Sequence, residues 1–443
     1  MGMSSICLKA GAAYRDITPP GSHFLFGYPY VERMSTGTHD PLLSSALYLG
    51  DGKNEVLFIS NDVIYVSKES VARIRKAVSQ KTGIPEHHVM IAATHTHSAP
   101  VTVEVAISAN DPVVPRVDPE YLHFMEERTA AAAIEARGKA EPVEISFVRG
   151  DATGIGTNRH NPDDAKDMDL PVMVVRNLQK EFLGCLLVCS MHPTVLHEDS
   201  TLYSSDFPHY VRETLRQEFL GEKCTVVYFT GTAGDQSPRH VTKANTFNEA
   251  RRIGKIVASS VIMKLSEPLS YSSCVPVYTA HELVDLPKRQ FPEVEWALQN
   301  RDSAKIQYET LRKNSGIPQE IRTAEVNWFG AEELLYLSSL AQSGSLDSFY
   351  ESSLPAEIMV IRVGEWAFVS WPGEIFAAYG LNLKKQFDTM ALITCANGEL
   401  QGYIPTEEAF EKGFYEAGNS FFDSGAGIIM LERSISLLKK TGR

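Results

Sequence analysis

Two histidines one residue apart, His95 and His97, are the first candidates for chemistry in this chain. They lie in the stretch VMIAATHTHSAP at residues 89–100, which begins as a short apolar run with the length of a buried strand. Because side chains two positions apart on a strand point to one face, we expect both imidazoles to reach one small volume beyond the strand's carboxyl end. Open α/β sheets bind their ligands at this edge. The spacing favours a metal ligand beside a catalytic helper; solvated or packed histidines next to a turn are the alternative.

Three further residues with metal-binding side chains follow apolar runs. His192 ends the run at 183–191, Glu374 follows an expected hairpin, and Tyr403 lies in a loop after a late strand. Catalytic zinc sites combine imidazole nitrogen with carboxylate oxygen and leave one position open for water. Two distant histidines and one carboxylate are typical of such a site. Polar residues that merely terminate strands would give the same pattern, because ligands far apart in a sequence have no fixed spacing.

The elements that must position these side chains are strands that alternate with helices along nearly the whole chain. This alternation predicts an α/β fold, with a mixed β-sheet catalytic domain and surrounding helices. Residues 290–345 are rich in charge and have helical spacing, so we expect a helical insertion there. We expect a single domain over residues 1–443 that contains this insertion. Strands are expected near 8–17, 42–49, 55–63, 143–149, 171–177, 182–190, 225–230, 275–284, 358–363, 366–371 and 391–395. Helices are expected near 68–81, 118–138, 207–219, 244–265 and 425–440.

The composition is that of a globular protein with a substantial core, 43% hydrophobic and 22% charged over 443 residues. The formal net charge is −13, and no block rich in lysine or arginine occurs. This balance argues against a nucleic-acid groove or a patch for an anionic membrane. No apolar run approaches the roughly 20 residues that span a bilayer, and the first residues lack the pattern of an export signal. We therefore expect a cytoplasmic protein without stable membrane insertion, and the sequence leaves a homo-oligomer open.

The cysteines are interpreted as small core residues in a reducing compartment. None of them forms a C-x-x-C pair, which argues against a zinc knuckle, and most lie in apolar runs, which argues against a disulfide framework. The six are Cys7, Cys185, Cys189, Cys224, Cys274 and Cys395.

Several short blocks occur in the order seen in the neutral/alkaline (non-lysosomal) ceramidase family, which this chain resembles. The similarity covers the chain from end to end except for roughly 265–350, and it suggests a short form without that family's C-terminal immunoglobulin-like domain. The blocks are DITP at 16–19, GTHDPL at 37–42, ATHTHS at 93–98, NR at 158–159, HPT at 192–194, GDQSP at 234–238, PGE at 372–374, YIPTEE at 403–408 and YE at 415–416.

The resemblance implies a zinc hydrolase of sphingolipid metabolism that cleaves the linear amide bond of an N-acyl compound by attack of zinc-bound water. It places the zinc ligands at His95, His192, Glu374 and Tyr403. It also places His97, Arg159 and Tyr415 against the substrate or the developing oxyanion, with His97 as the proton carrier. Asp235 and Ser237 match the family's Gly-Asp-x-Ser-Pro block, and we interpret them as pocket residues that support the site.

Other interpretations stay open at the level of sequence. The same zinc site could act on an ester, a lactone or an acetylated sugar, or the fold could serve a non-catalytic binding protein. Arg159 could be a surface arginine, Tyr415 a core residue, and Asp235 a cap of the turn before Ser237. The glycine-rich loop at 231–234 resembles a phosphate cradle, but it lacks the Gly-Lys-Ser/Thr ending of such loops.

Overall fold

The computed structural model of the protein describes residues 8–314 and 317–442. The α-helices in these ranges are α1 Lys68–Thr82, α2 Pro119–Gly138, α3 Phe207–Leu215, α4 Phe247–Leu265, α5 Val294–Lys313, α6 Pro318–Gln342, α7 Asp347–Ser353, α8 Ala377–Gln386, α9 Glu407–Lys412, α10 Tyr415–Gly418 and α11 Ala426–Thr441. The strands are β1 Lys9–Asp16, β2 Gly37–Thr38, β3 Leu43–Gly50, β4 Glu55–Asn61, β5 Val89–Ala93, β6 Glu141–Asp151, β7 Thr157–Asn158, β8 Asp169–Asn177, β9 Phe182–Cys189, β10 Leu202–Tyr203, β11 Thr225–Thr230, β12 Gln236–Ser237, β13 Val277–Val284, β14 Ala356–Val363, β15 Trp366–Ser370, β16 Glu374–Ile375, β17 Met390–Ile393 and β18 Tyr403–Ile404.

Two mixed β-sheets form the centre of the fold. The larger has eight strands in the order β11-β9-β8-β6-β1-β3-β4-β5, and the smaller has four in the order β13-β14-β15-β17. Most neighbouring strands in these sheets are antiparallel, but β4 and β5, β9 and β11, and β15 and β17 are parallel. The helices α1, α3 and α8 form the crossovers that these parallel neighbours require. The predicted mixed α/β architecture is confirmed.

The two sheets pack face to face, and helices cover their outer faces. A core cluster between the sheets joins Phe58 of β4 to Phe368 of β15, whose rings meet edge to face with centroids 5.2 Å apart. Helices α1 to α4 cover the outer face of the larger sheet, and α8 and α11 cover that of the smaller one. This order of layers buries both faces of each sheet.

Strand β11 shows why the central strands could be predicted from apolar runs. Val226 and Tyr228 belong to the cluster beneath α3 and α4, whereas Val227 and Phe229 belong to the cluster between the sheets. Successive side chains of a strand point to opposite faces, so a strand covered on both sides is apolar throughout and does not alternate. The run at 225–230 therefore marks a fully buried strand.

The expected helical insertion at 290–345 is confirmed as α5 and α6, and α7 follows directly after it. The helix expected at 207–219 ends earlier, at Leu215, and continues as a π-helical turn over Arg216–Leu220. Within the described ranges, no helix combines the length and the apolar character that crossing a bilayer requires.

Four of the cysteines lie in the core as expected. Cys185, Cys189, Cys224 and Cys395 are buried, and burial raises the pKa of the Cys185 thiol to about 12. The expectation is wrong for Cys274, which is exposed. The remaining cysteine, Cys7, lies outside the described residues.

Candidate metal centre

Three polar side chains meet where the carboxyl ends of three strands come together. His95 follows β5, His192 follows β9 and Glu374 follows β15, and each of these strands belongs to a parallel pair. Backbone hydrogen bonds join the ends of the two sheets, for example from Thr394 N to Thr230 O at 2.9 Å. The packing of one sheet on the other thus brings together ligands that lie far apart in sequence.

The side chains of His95 and His97 converge as expected. The expected cause, alternation of side chains along a strand, is wrong. β5 ends at Ala93, and His95 lies beyond it with a left-handed backbone, φ 66°. For a residue with a Cβ, this left-handed conformation costs about 1–3 kcal/mol, so the surrounding structure must stabilise it. A hydrogen bond from His95 N to Val63 O at 3.0 Å does so. This turn brings His95 Nε2 to 3.4 Å from His97 Nε2.

His95, His192 and Glu374 form a compact triangle of ligand atoms. The two histidine Nε2 atoms are 3.1 Å apart, and Glu374 Oε2 lies 3.0 Å from His192 Nε2 and 3.2 Å from His95 Nε2. All three side chains are buried. His97 supplies a further nitrogen beside this triangle, and the three histidines offer ligand atoms that all lie within 4.8 Å of one another.

The other ring nitrogen of each histidine faces a backbone carbonyl oxygen. The pairs are His95 Nδ1 to Ile64 O (2.9 Å), His97 Nδ1 to Gly27 O (3.0 Å) and His192 Nδ1 to Ala233 O (2.6 Å). A carbonyl oxygen can only accept, so each Nδ1 carries the hydrogen and each neutral ring presents a lone pair at Nε2. Three lone pairs and a carboxylate oxygen then share one small volume, and a cation is what such a set of donors stabilises.

The charges at this centre are strongly coupled. Burial opposes protonation of His95, but the Glu374 carboxylate outweighs burial and raises the His95 pKa well above its usual value. Burial, together with the neighbouring His95 and His192, lowers the pKa of His97 well below its usual value. Burial also opposes ionisation of Glu374, but His95 and His192 hold its pKa well below the ordinary range. The second oxygen of Glu374 accepts a hydrogen bond from the Tyr65 hydroxyl.

This donor set fits a zinc ion. Zinc–nitrogen bonds of about 2.0–2.1 Å in a tetrahedral arrangement place neighbouring ligand atoms about 3.3 Å apart. The ligand atoms of the triangle are 3.0 to 3.2 Å apart, and His97 Nε2 lies 3.4 Å from His95 Nε2. Two histidines and one glutamate, with a fourth position for water, are a ligand set of catalytic zinc. The hydrogen bonds at the Nδ1 atoms fix the tautomer and the orientation of each ring, as they do around zinc ligands generally.

Tyr403, the fourth ligand implied by the resemblance, lies directly beside the triangle. The short strands β16 and β18 are parallel, with Glu374 opposite Tyr403. Tyr403 is buried, and its ring centroid lies 5.1 Å from the Cζ atom of Arg159. Burial raises the pKa of Tyr403 well above its usual value, and Arg159 acts in the opposite direction. The assignment of Tyr403 as a ligand stays a prediction.

Arg159 is held beside Tyr403 by a buried carboxylate. Its Nε donates to Glu416 Oε1 at 2.5 Å, and His160 Nε2 lies 2.7 Å from Glu416 Oε2. Burial opposes ionisation of Glu416, but Arg159 and His160 outweigh it and lower its pKa to about 2. The Arg159 side chain is only 11% exposed, so the alternative of an ordinary surface arginine does not apply.

Tyr415 connects the centre to the helical insertion. Its ring lies 6.0 Å from that of Tyr403, centroid to centroid, and its hydroxyl lies 3.5 Å from Glu333 Oε1 of α6. Asn419 Nδ2 donates to Glu333 Oε2 at 2.8 Å. Burial raises the pKa of Glu333 to about 8, so this acid is mostly protonated at neutral pH. The insertion, to which the sequence assigned no chemistry, thus brings an acid to the centre.

Asp235 and Ser237 support the segments around the centre. Asp235 Oδ1 accepts from Ala377 N at the start of α8 (2.7 Å), and the Asp235 carbonyl accepts from Arg159 N (2.8 Å). Ser237 Oγ accepts from Arg239 N (3.3 Å) and caps a short 3₁₀ turn. Burial raises the pKa of Asp235 to about 7. These contacts agree with a supporting role, which stays a prediction.

Two cavities meet at the triangle. The larger has a volume of about 500 Å³ and includes His192 in its lining; the smaller has about 80 Å³ and includes Glu374. A group bound at the triangle can therefore extend into either cavity. The residues that line both are Gly27, Tyr28, Pro29, His97, Tyr403 and Tyr415.

Sequence reasoning missed the partners that hold the candidate residues in place. Glu416 directly follows Tyr415 in the quoted YE block, so the resemblance could have pointed to Glu416 as a residue of the site. Tyr65 follows β4, the parallel neighbour of the histidine strand, and a polar residue there could have been noticed for the same reason as His95. Glu333 lies within a long helix and has no comparable local signal.

Known proteins are similar to this chain in sequence and in fold. The family model described as neutral/alkaline non-lysosomal ceramidase, N-terminal, matches residues 8–252 of the 443. The crystal structure of the neutral ceramidase from Pseudomonas aeruginosa is similar in fold, with a TM-score of 0.75 at 15% identity over 98% of this chain and 74% of that one. A structure described as ceramidase complexed with C2 gives a TM-score of 0.75 at 14% identity over 98% of this chain and 75% of that one.

Proposed function

This chain belongs to the neutral/alkaline non-lysosomal ceramidase family of hydrolases, and on that premise we propose that it is a zinc-dependent amidohydrolase acting on an N-acyl compound. One observation carries the proposal: the ligand atoms of His95, His192 and Glu374 converge at 3.0 to 3.2 Å, while the Nδ1 of each histidine at the centre faces a carbonyl oxygen. Without a metal ion, a proton on His95 would be the positive charge that these groups hold among them.

His95, His192 and Glu374 would hold the zinc, and Tyr403 would add the ligand that the resemblance implies. When bound, zinc lowers the pKa of a water molecule to about 7 and polarises the substrate carbonyl. The Tyr65 hydroxyl supports this set by fixing the free oxygen of Glu374. Ligands held by outer hydrogen bonds keep their orientation and their affinity for metal.

His97 is the proton carrier in this proposal. Gly27 O holds the hydrogen on Nδ1, so Nε2 is free to accept a proton from the attacking water and to return it to the leaving nitrogen. Arg159, fixed by Glu416, and the Tyr415 hydroxyl donate to the developing oxyanion. Donors of this kind are typically worth about 3 kcal/mol each when they are buried and preorganised.

The reaction adds one water across the C–N bond. The water oxygen bonds to the acyl carbon as the C–N bond breaks, and both water protons end on the leaving nitrogen. The products are a carboxylate and an ammonium ion, so atoms and charge balance. The substrate amide has to lie at the triangle, where the two cavities can take the groups on either side of the scissile bond.

The metal requirement is tested with matched histidine variants. We expect one zinc per chain, loss of turnover on chelation, and recovery on zinc addition. His192→Ala is expected to lose both metal and turnover. His197→Ala removes a histidine that lines the same cavity but pairs with Glu198, and it is expected to keep its metal. Wild-type protein that hydrolyses the amide fully in the presence of a strong chelator would contradict the proposal.

Amide and ester cleavage are separated by two probes that differ in one atom. N-octanoyl ethanolamide and 2-hydroxyethyl octanoate share the acyl chain and the hydroxyethyl group, and only the NH is replaced by oxygen. We expect turnover of the amide, with the released ethanolamine measured by liquid chromatography. Zinc-dependent turnover of the ester alone would favour an esterase on the same site.

A further inference from the structure

The larger cavity contains three guanidinium groups, and one of them has no partner. Arg159 is paired with Glu416 at 2.5 Å, and Arg322 Nη1 lies 2.7 Å from Glu325 Oε2. Arg239 lines the same cavity. Within residues 8–314 and 317–442, no carboxylate lies at ion-pair distance from the Arg239 guanidinium, and the guanidinium makes no hydrogen bond.

The backbone around Arg239 is firmly held. Strand β12 pairs with β7, so Ser237 lies opposite Thr157. Pro238 begins the 3₁₀ turn that ends at His240, and Ser237 Oγ caps it by accepting from Arg239 N. The GDQSP block thus ends in a rigid turn that presents Arg239 to the cavity.

The unpaired state of Arg239 is electrostatically unfavourable for the protein alone. Burial, together with the neighbouring Arg159 and Arg322, lowers the pKa of Arg239 to about 10, so it is still charged at neutral pH. Arg239 is partly exposed, and a charge partly withdrawn from water without a counter-ion costs stability. Groups with perturbed pKa values cluster at functional sites.

The carboxylates that line the larger cavity do not neutralise Arg239. Glu416 is already shared between Arg159 and His160. Asp164 is exposed and accepts a hydrogen bond from Asn161. A cationic cavity is unexpected in a chain with a net charge of −13. Field lines from its walls would concentrate an anionic ligand there.

The smaller cavity has the opposite character. Its described lining contains Asp111, Glu333 and Glu374 but neither lysine nor arginine. The charges on the two sides of the triangle therefore differ, and an anion is favoured on one side only.

We propose that the larger cavity binds an anionic group of the substrate, so that the enzyme acts on N-acyl compounds carrying a carboxylate or another oxyanion. The inference rests on the proposed function, because the scissile amide must lie at the triangle formed by His95, His192 and Glu374. Arg239 binds the oxyanion through two parallel N–H donors, the geometry for which a guanidinium is suited. A volume of about 500 Å³ accommodates both this group and the scissile amide.

Matched probes test the charge preference by calorimetric titration of the zinc-supplied protein. N-octanoylglycine and N-octanoyl ethanolamide differ in the carboxylate on the amine side. N-butylsuberamic acid and N-butyloctanamide differ in a carboxylate at the far end of the acyl side. We expect the carboxylate member of at least one pair to bind about 10-fold more tightly or better, since hydrogen bonds between charged groups are the strong ones.

Arg239→Gln is expected to abolish this preference, and Arg239→Lys to retain part of it because the charge remains. Arg116→Gln removes one exposed positive charge on the lining of a different cavity and is expected to keep the preference. Thermal unfolding of each variant shows whether it is folded. A carboxylate that merely coordinates the metal would not depend on Arg239, so a preference that survives in Arg239→Gln overturns the inference. Equal binding of charged and neutral probes, or no saturable binding of either carboxylate, also overturns it.

Turnover is recorded in the same samples to keep this inference apart from the proposed function. An Arg239-dependent preference without hydrolysis of any probe supports the anion-binding cavity and contradicts the amidohydrolase. Hydrolysis without a charge preference supports the amidohydrolase and contradicts the anion-binding cavity.

Discussion

Replacing Arg159 by methionine separates its proposed chemical role from its structural one. Arg159 Nε lies 2.5 Å from Oε1 of Glu416, whose side chain is 1% exposed. Without the guanidinium, this carboxylate stays buried with His160 as its remaining partner. Breaking a buried ion pair costs about 3–5 kcal/mol. Independently, the lowering of the Glu416 pKa from 4.5 to about 2 corresponds to about 3 kcal/mol at 1.36 kcal/mol per pH unit.

We therefore expect Arg159→Met to lower the free energy of unfolding by about 3 kcal/mol at pH 7.5 and to lower turnover by about 100-fold or more. Because the pKa of Glu416 is lowered in the folded state, its stabilising contribution is fully present above pH 4.5 and is lost as the pH falls towards 2. The stability difference between wild type and Arg159→Met should shrink accordingly in acid.

The double variant Arg159→Met/Glu416→Leu removes both charges. Apolar replacement of a buried pair is often neutral, so most of the stability should return while turnover stays lost. Urea unfolding followed by fluorescence measures the first quantity, and release of ethanolamine from N-octanoyl ethanolamide measures the second. A single variant as stable as wild type would mean that the pair of Arg159 and Glu416 does not stabilise the fold. Recovery of turnover in the double variant would refute the chemical role of Arg159.

Three further outcomes are expected. Tyr65→Phe removes the hydrogen bond to Glu374, and competition with a chelator should show zinc affinity about 10- to 100-fold weaker; unchanged affinity would contradict the supporting role. Tyr415→Phe should lower kcat about 100-fold while zinc content, measured by mass spectrometry, stays at wild type; unchanged kcat would remove Tyr415 from the mechanism. Burial raises the pKa of Glu333 from 4.5 to about 8, so its folded form gains stability from the bound proton and loses it as the pH rises from about 5 to 8. Glu333→Gln should therefore raise the free energy of unfolding by about 2–4 kcal/mol at pH 8.5 and little at pH 5, and a gain independent of pH would contradict the assignment.

The central strands and the polar residues at their ends could be predicted because each depends on a short stretch of the sequence. The run at 225–230 is apolar since two layers cover it, and the residue after such a run lies at the carboxyl edge of the sheet. The placement of His95, His192 and Glu374 after strands of three parallel pairs follows from this rule. The metal triangle itself depends on how the two sheets pack, which no single run encodes.

What the sequence did not predict are contacts between distant segments. Arg159 and Glu416 are 257 positions apart, and the sequence around each residue does not indicate that the two are in contact. Glu333 and Arg322 reach the cavities because α6 packs against the centre, whereas their spacing indicates only a helix. The left-handed backbone of His95 is likewise held by its surroundings, since residues with a Cβ adopt it uncommonly, although histidine does so more often than most.

An anomalous difference map, recorded at the zinc absorption edge from crystals of the zinc-supplied protein, tests whether the triangle of His95, His192 and Glu374 binds zinc. We expect a single strong peak within bonding distance of His95 Nε2, His192 Nε2 and the Glu374 carboxylate. A fully occupied crystal with no peak at these three groups, or with zinc bound only elsewhere, would contradict it.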